Sequence, residues 1–138
     1  MAADSSLVFD ACAVIAMLRG EKGAELVVSL LGEPDNRCWI HAVNLCEVYY
    51  DSIRRGDTAD AARLEKLLTQ SGLNVETEIP QSLWESAGRL KATFRRVSLA
   101  DCFALAFALG EDATLVTSDH HEFDPIAATG ICPVQFIR

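Results

Sequence analysis

The sequence predicts an α/β protein, a three-layer α/β/α sandwich around a mostly parallel sheet of about five strands. Three observations predict it. Short apolar runs alternate with segments of helical periodicity from one end of the chain to the other, the pattern of right-handed βαβ units. The stretch 99–109 is helical and apolar on most of its sides, so it belongs at the centre of a packed layer. No proline- or glycine-rich linker divides the 138 residues, which fits one domain spanning 1–138.

Taken in order, residues 6–9 form a strand-like run that ends at Asp10, and residues 11–18 are helix-like up to Gly20. Ala24, Val27, Val28 and Leu31 recur at i, i+3, i+4 and i+7, an amphipathic helix stopped by Gly32 and Pro34. Cys38, Trp39 and Ile40 read as the second strand. Leu45, Val48, Tyr49 and Ile53 mark a helix face that closes near Gly56. Asp57 opens a further helix, with Ala61, Leu64 and Leu68 inward and Arg63 and Lys66 outward. Leu73, Val75 and Thr77 alternate as a third strand, and Pro80 suits the first turn of the next helix. Leu83, Ala87, Leu90 and Phe94 are its buried stripe, with Trp84 beside it as core or interface. Gly110 suits the end of the central helix. Residues 113–116 are the fourth strand and residues 133–137 a short fifth.

Composition narrows the classes of function. Half of the residues are hydrophobic and 23% are charged, enough apolar surface for a core without disulfides. The formal charge of −8 argues against a simple basic-groove nucleic-acid binder. It leaves room for a metal-dependent nuclease, whose carboxylates are negative until a cation arrives. Five cysteines, an odd number with no C-x-x-C, point to reduced thiols in the cytoplasm. The N-terminal segment lacks the pattern of a signal peptide, and the most apolar run is too short to span a bilayer.

Four carboxylates occupy one kind of place. Asp10 ends the first strand, Glu47 falls in the first turn of the helix after the second, Asp101 in the first turn of the central helix, and Asp119 just after the fourth strand. Ligands of open α/β sheets bind outside the carboxyl ends of the strands, so all four converge on one edge. Each acid also has a bland explanation. Asp10 and Asp119 suit helix N-caps, and Ser98 with Asp101 and Asn44 with Glu47 fit capping boxes. Capping alone does not require four acids on one edge, amid apolar neighbours. Clustered carboxylates repel, and a hard divalent cation with oxygen ligands relieves that repulsion. Such a site suits phosphoryl transfer or hydrolysis.

The segments VFDACAVIAML, NLCEVYYD, SLADCFALAFAL and ATLVTSDHHEF carry a family resemblance. In this order and spacing the chain resembles the PIN-domain nucleases, especially the compact VapC-type ribonuclease toxins of prokaryotic toxin–antitoxin pairs. The resemblance covers nearly the whole chain. It implies that Asp10, Glu47, Asp101 and Asp119 hold Mg²⁺ or Mn²⁺ for hydrolysis of RNA phosphodiester bonds. It makes Thr117 a supporting hydroxyl, and it implies a cognate antitoxin and a homodimer. Cys12 stands where the family often has Ser or Thr, and a thiol is a weak hydrogen-bond partner. Asp124 is a further acid near the site. Two other readings share the fold: a housekeeping RNA- or DNA-processing nuclease, and a non-catalytic binding module.

The remaining candidates carry bland readings beside functional ones. Cys12, Cys46 and Cys102 adjoin proposed ligands but match no zinc spacing, so they read as core. His120 and His121 either face solvent or approach substrate phosphate. Arg54, Arg55, Arg63 and Lys66 form one basic region, and Arg89, Lys91, Arg95 and Arg96 another. Each is a solvated helix face or a guide for an RNA backbone. Tyr49 reads as core, and Tyr50 could stack on a base. No P-loop, G-x-G-x-x-G or G-x-S-x-G occurs, which removes three rival enzyme classes.

Overall fold

Side-chain alternation along the first strand sets up the whole architecture. In the computed structural model, which describes residues 5–138, β1 (Ser5–Phe9) sends Leu7 and Phe9 to one apolar layer and Val8 to the other. A strand apolar on both faces must be covered on both faces, and helices do so. The first layer holds α1 (Ala11–Arg19), α2 (Ala24–Gly32), α3 (Ala42–Arg54), the short α4 (Thr58–Ala62) and α5 (Leu64–Gln70). The second holds α6 (Gln81–Thr93), α7 (Leu99–Gly110) and α8 (His120–Thr129).

The sheet adds β2 (Asn36–His41), β3 (Leu73–Glu76), β4 (Thr114–Thr117) and β5 (Val134–Phe136) to β1, in the order β3-β2-β1-β4-β5. Every pairing is parallel, with Val8 opposite both Trp39 and Leu115. The three-layer sandwich with a five-stranded parallel sheet is the architecture expected. As anticipated, α7 is central: seven of its residues, from Asp101 to Ala108, are buried against β1, β2 and β4.

Local differences from the expected elements have physical causes. The helix expected after Asp57 breaks into α4 and α5 at Arg63, whose φ of −113° leaves the helical region. Pro80 sits at the N-cap of α6 rather than in its first turn. The left-handed turn after α7 falls on Asp112 (φ +51°), not on Gly110. Tyr49 and Trp84 are about half exposed, at 48% and 51%, although they lie beside apolar stripes. An i, i+4 pattern does not distinguish a core stripe from one left on the surface. The segment 120–129, for which the sequence predicts no element although Asp119 suits an N-cap, is helix α8 despite Pro125.

Gly23 joins α1 to α2 with φ +95°, and an added Cβ would stand 2.6 Å from the carbonyl oxygen of Ile137. Gly20 has φ +65° with nothing within 4 Å of such an atom. Gly23→Ala therefore combines left-handed strain with a backbone clash, and is expected to cost at least about 2 kcal/mol. Gly20→Ala carries the strain alone and should cost about half as much. Urea unfolding of both variants checks this; equal losses would remove the clash from the explanation.

Candidate metal centre

The strand order places a crevice where the acids lie. From β1 the sheet grows through β2 to β3, then the chain crosses to the other side of β1 to form β4 and β5. Between β1 and β4 the winding reverses, and ligands bind outside the carboxyl ends of strands at such a switch point. Asp10 directly follows β1, and Thr117 ends β4.

Asp10 is fully buried and caps α1, its Oδ1 accepting the Ala13 N–H at 2.9 Å. Its Oδ2 accepts the hydroxyl of Thr117. The Thr117 oxygen in turn accepts the backbone N–H of Asp119 at 3.0 Å, so one hydroxyl fastens the two acids across the switch point. Asp119 caps α8 by accepting the Glu122 N–H at 3.0 Å. Asp101 is the third residue of α7 and is 6% exposed; its N–H donates to Ser98 Oγ at 3.2 Å. In a capping box the third residue's carboxylate returns to the N-cap N–H. Here Glu122 takes that place, with both its oxygens 3.3 Å from the Ser98 nitrogen. The Asp101 carboxyl is thereby left for the cluster. One oxygen each of Asp101, Asp119 and Glu122 lies within 4.8 Å of the others.

Glu47 is half-buried, and its charge acts on both Asp10 and Asp101. It is the sixth residue of α3, not in the first turn. β2 runs straight into α3, and His41 is the cap, with Nδ1 accepting the Val43 N–H at 3.1 Å. That bond leaves the proton on Nε2, which donates to the Glu78 carbonyl at 2.9 Å. Asn44 is therefore not a cap; it donates to the Ala100 carbonyl at 3.3 Å and ties α3 to α7 beside Asp101.

Cys12, half-buried in the second position of α1, stands among the four expected acids. Burial and the charges of Asp10, Asp101, Asp119 and Glu47 all push its thiol well above the usual range, so it is neutral. Asp124 is exposed and paired with His120 at 2.8 Å. His120 also meets the Arg138 carbonyl at 2.7 Å and stacks on Phe136. Glu122 is the acid that sequence reasoning missed. The signal was an Asp119-x-x-Glu122 capping pattern, available because Asp119 itself suits an N-cap.

The cluster carries an electrostatic cost. Burial, with help from Asp119 and Glu47, raises the Asp10 carboxyl to about 7 against its bonds from Thr117 and Ala13. Burial also raises Asp101, followed by its hydrogen bond with Glu122 and the charges of Asp10, Glu122 and Glu47. Glu47 is raised by burial and by Glu122. Among the described residues no Lys or Arg forms an ion pair with any of these five acids. All-oxygen donors, an unbalanced negative charge and a recessed position fit a hard divalent cation.

This predicts how metal-free stability depends on pH. An acid raised in the folded state stabilises the fold below its unfolded value near 3.8, and that contribution is lost as pH rises through about 7. The metal-free protein should lose on the order of a few kcal/mol between pH 4 and pH 8 from Asp10 and its neighbours. Millimolar Mg²⁺ or Mn²⁺ should restore it at the upper end. Melting curves with and without EDTA check this; a pH-independent Tm without metal would contradict it.

Comparisons with known proteins agree with the fold. The PIN domain family matches residues 7–128, and the chain belongs to that family of nucleases. Comparison with curated proteins finds no match. The fold is similar to that of a toxin–antitoxin complex from Klebsiella pneumoniae, at 21% identity and TM-score 0.73, covering 96% of this chain and 98% of the other. It is also similar to VapBC-1 from nontypeable Haemophilus influenzae (20%, TM-score 0.67, 96% and 98%). A third likeness is PAE2754 from Pyrobaculum aerophilum (17%, TM-score 0.62, 95% and 90%). PIN nucleases use divalent metals, and an acidic cluster is present in this chain. Among the described residues no helix is long and apolar enough to cross a membrane.

Proposed function

We propose that the protein is a metal-dependent endoribonuclease that hydrolyses RNA phosphodiester bonds, and that it is the toxin of a toxin–antitoxin pair. The observation that carries this reading is the gathering of Asp10, Glu47, Asp101 and Asp119, joined by Glu122, at the switch point of the sheet, with no Lys or Arg paired to them among the described residues. These carboxylates would hold Mg²⁺ or Mn²⁺. When bound, such an ion supplies an activated water and neutralises charge on the phosphate and leaving oxygen.

The chain's own groups have distinct work in this reading. Thr117 keeps the Asp10 carboxyl aimed and bonded, and through the Asp119 N–H fixes the start of α8. The N-termini of α7 and α8 both open at the cluster, and their positive dipole ends favour a substrate phosphate. Glu122 holds the start of α7 through Ser98 as well as adding its charge.

The fold likeness to toxin–antitoxin complexes supports an antitoxin partner. Leu18, Tyr49, Tyr50 and Ile53 leave apolar surface exposed on α1 and α3, which suits a protein partner or a second copy in a homodimer. The test is cleavage of a mixed RNA pool with Mg²⁺, with Mn²⁺ and with EDTA. Cutting that EDTA abolishes is expected. No cutting by protein shown by mass spectrometry to be free of a partner would count against the reading.

A further inference from the structure

The loop between α6 and α7 is held in place more firmly than its exposed position requires. Lys91 Nζ donates to the carbonyls of Arg95 and Val97, both at 2.7 Å, and the Val97 N–H donates to the Phe94 carbonyl at 3.0 Å. Ser98 closes the loop onto Glu122 of the acidic cluster. A lysine spent on its own backbone carries no substrate, but it stiffens the segment it grips, 95–97, which carries two free side-chain charges. Those charges belong to Arg95 and Arg96, both exposed.

A groove of about 350 Å³ runs from these arginines to the cluster. Phe94, Arg95, Arg96 and His121 line it, and Glu122 is shared between groove and cluster. Among the described residues neither arginine has a carboxylate within ion-pairing distance. In the other basic region, among the described residues, Arg55 and Lys66 likewise form no ion pair, but neither lines this groove. Arg54 pairs with Asp51 at 3.0 Å, and Arg63 lies 3.9 Å from Asp60. Within the region of Arg95 and Arg96 themselves, Arg89 pairs with Glu85 at 3.2 Å. In a chain of net charge −8, two uncompensated guanidinium groups beside the acids form a local exception.

We propose that this groove binds the backbone of single-stranded RNA next to the bond that is cut, with Arg95 and Arg96 on phosphates and Phe94 as an apolar wall for a base. The proposal rests on the ribonuclease reading for its substrate. Guanidinium forks match phosphate oxygens, and a fixed loop loses less entropy on binding than a mobile one. A single strand fits better than a duplex, because Asp10 and Asp101 are recessed, at 0% and 6% exposure, and only an unpaired strand bends in to reach them.

Fluorescence anisotropy with a labelled single-stranded RNA tests it, in Mg²⁺ and on an Asp101→Asn background. Arg95→Gln with Arg96→Gln should weaken binding about tenfold or more, and the salt slope should fall by about 0.7 for each phosphate contact removed. Arg54→Gln with Arg55→Gln should change neither. With Asp101 intact, the Mg²⁺-induced rise in Tm should be the same with and without the Arg95 and Arg96 changes, which shows that the fold and metal centre are intact. Unchanged affinity and slope in the Arg95/Arg96 variant, or no binding of RNA by the parent, would overturn the groove. Cleavage with arginine-independent binding would sink the groove and leave the ribonuclease standing. Arginine-dependent binding without cleavage would sink the ribonuclease and leave the groove.

Discussion

Asp101→Asn is expected to lower RNA cleavage by at least about 10²–10³ while the protein stays folded, and to raise the melting temperature of the metal-free form at alkaline pH, where the raised Asp101 carboxyl ionises. Both halves come from one geometry. Asp101 is buried in the first turn of α7, and its ionised form is disfavoured by burial and by Glu122, Asp10 and Glu47. An amide has the same shape without the charge, so it relieves the repulsion. Its oxygen is a poorer partner for a hard cation, so the metal-induced gain in stability should shrink with the activity. The Ser98 cap on the Asp101 N–H is a backbone bond and survives the change. Turnover within tenfold of the parent would remove Asp101 from the metal centre.

Thr117→Val should have the second-largest effect, because the two side chains are nearly isosteric and only the hydroxyl is lost. That hydroxyl donates to buried Asp10 and accepts from the Asp119 N–H. Leaving both partners unsatisfied is expected to cost about 1–3 kcal/mol. The Thr117 bond also holds the Asp10 carboxyl down against burial, so its loss raises Asp10 further. At neutral pH the cation then competes with a proton. Activity should fall roughly 10–100-fold, as when other groups that orient metal ligands are removed. More Mg²⁺ or a higher pH should recover part of it, and Thr117→Ser should recover nearly all. A Val variant that needs no more metal than the parent would mean that Thr117 does not position Asp10.

The contrast between what was legible and what was not follows from range. Strands β1 and β4 and helix α7 announce themselves because strand and helix periods write burial directly into local apolar order. Asp10, Asp101 and Asp119 follow, since a residue just past a parallel strand or in the first turn of a helix lies at one edge. Their caps turned out to be compatible with the site. Glu47 was placed near the right edge for a partly wrong reason: α3 begins at Ala42, where His41 caps it, five residues before Glu47.

Other features depend on contacts between distant segments. Glu122 serves Ser98, 24 residues away, and no local pattern carries that bond. Pro125 cannot donate to the His121 carbonyl, yet α8 tolerates one lost bond on its exposed side and buries Phe123 and Ile126. The two basic regions look alike in sequence. Only the fold shows Arg54 and Arg63 beside aspartates and Arg95 and Arg96 without them.

Mn²⁺ bound to crystals of the protein would settle the centre by its anomalous signal. The peak should lie among Asp101, Asp119 and Glu122, within reach of Asp10, and should vanish in Asp101→Asn. A well-ordered acidic cluster without a peak at millimolar Mn²⁺, or a peak that survives Asp101→Asn unchanged, would contradict a metal-dependent nuclease built on these carboxylates.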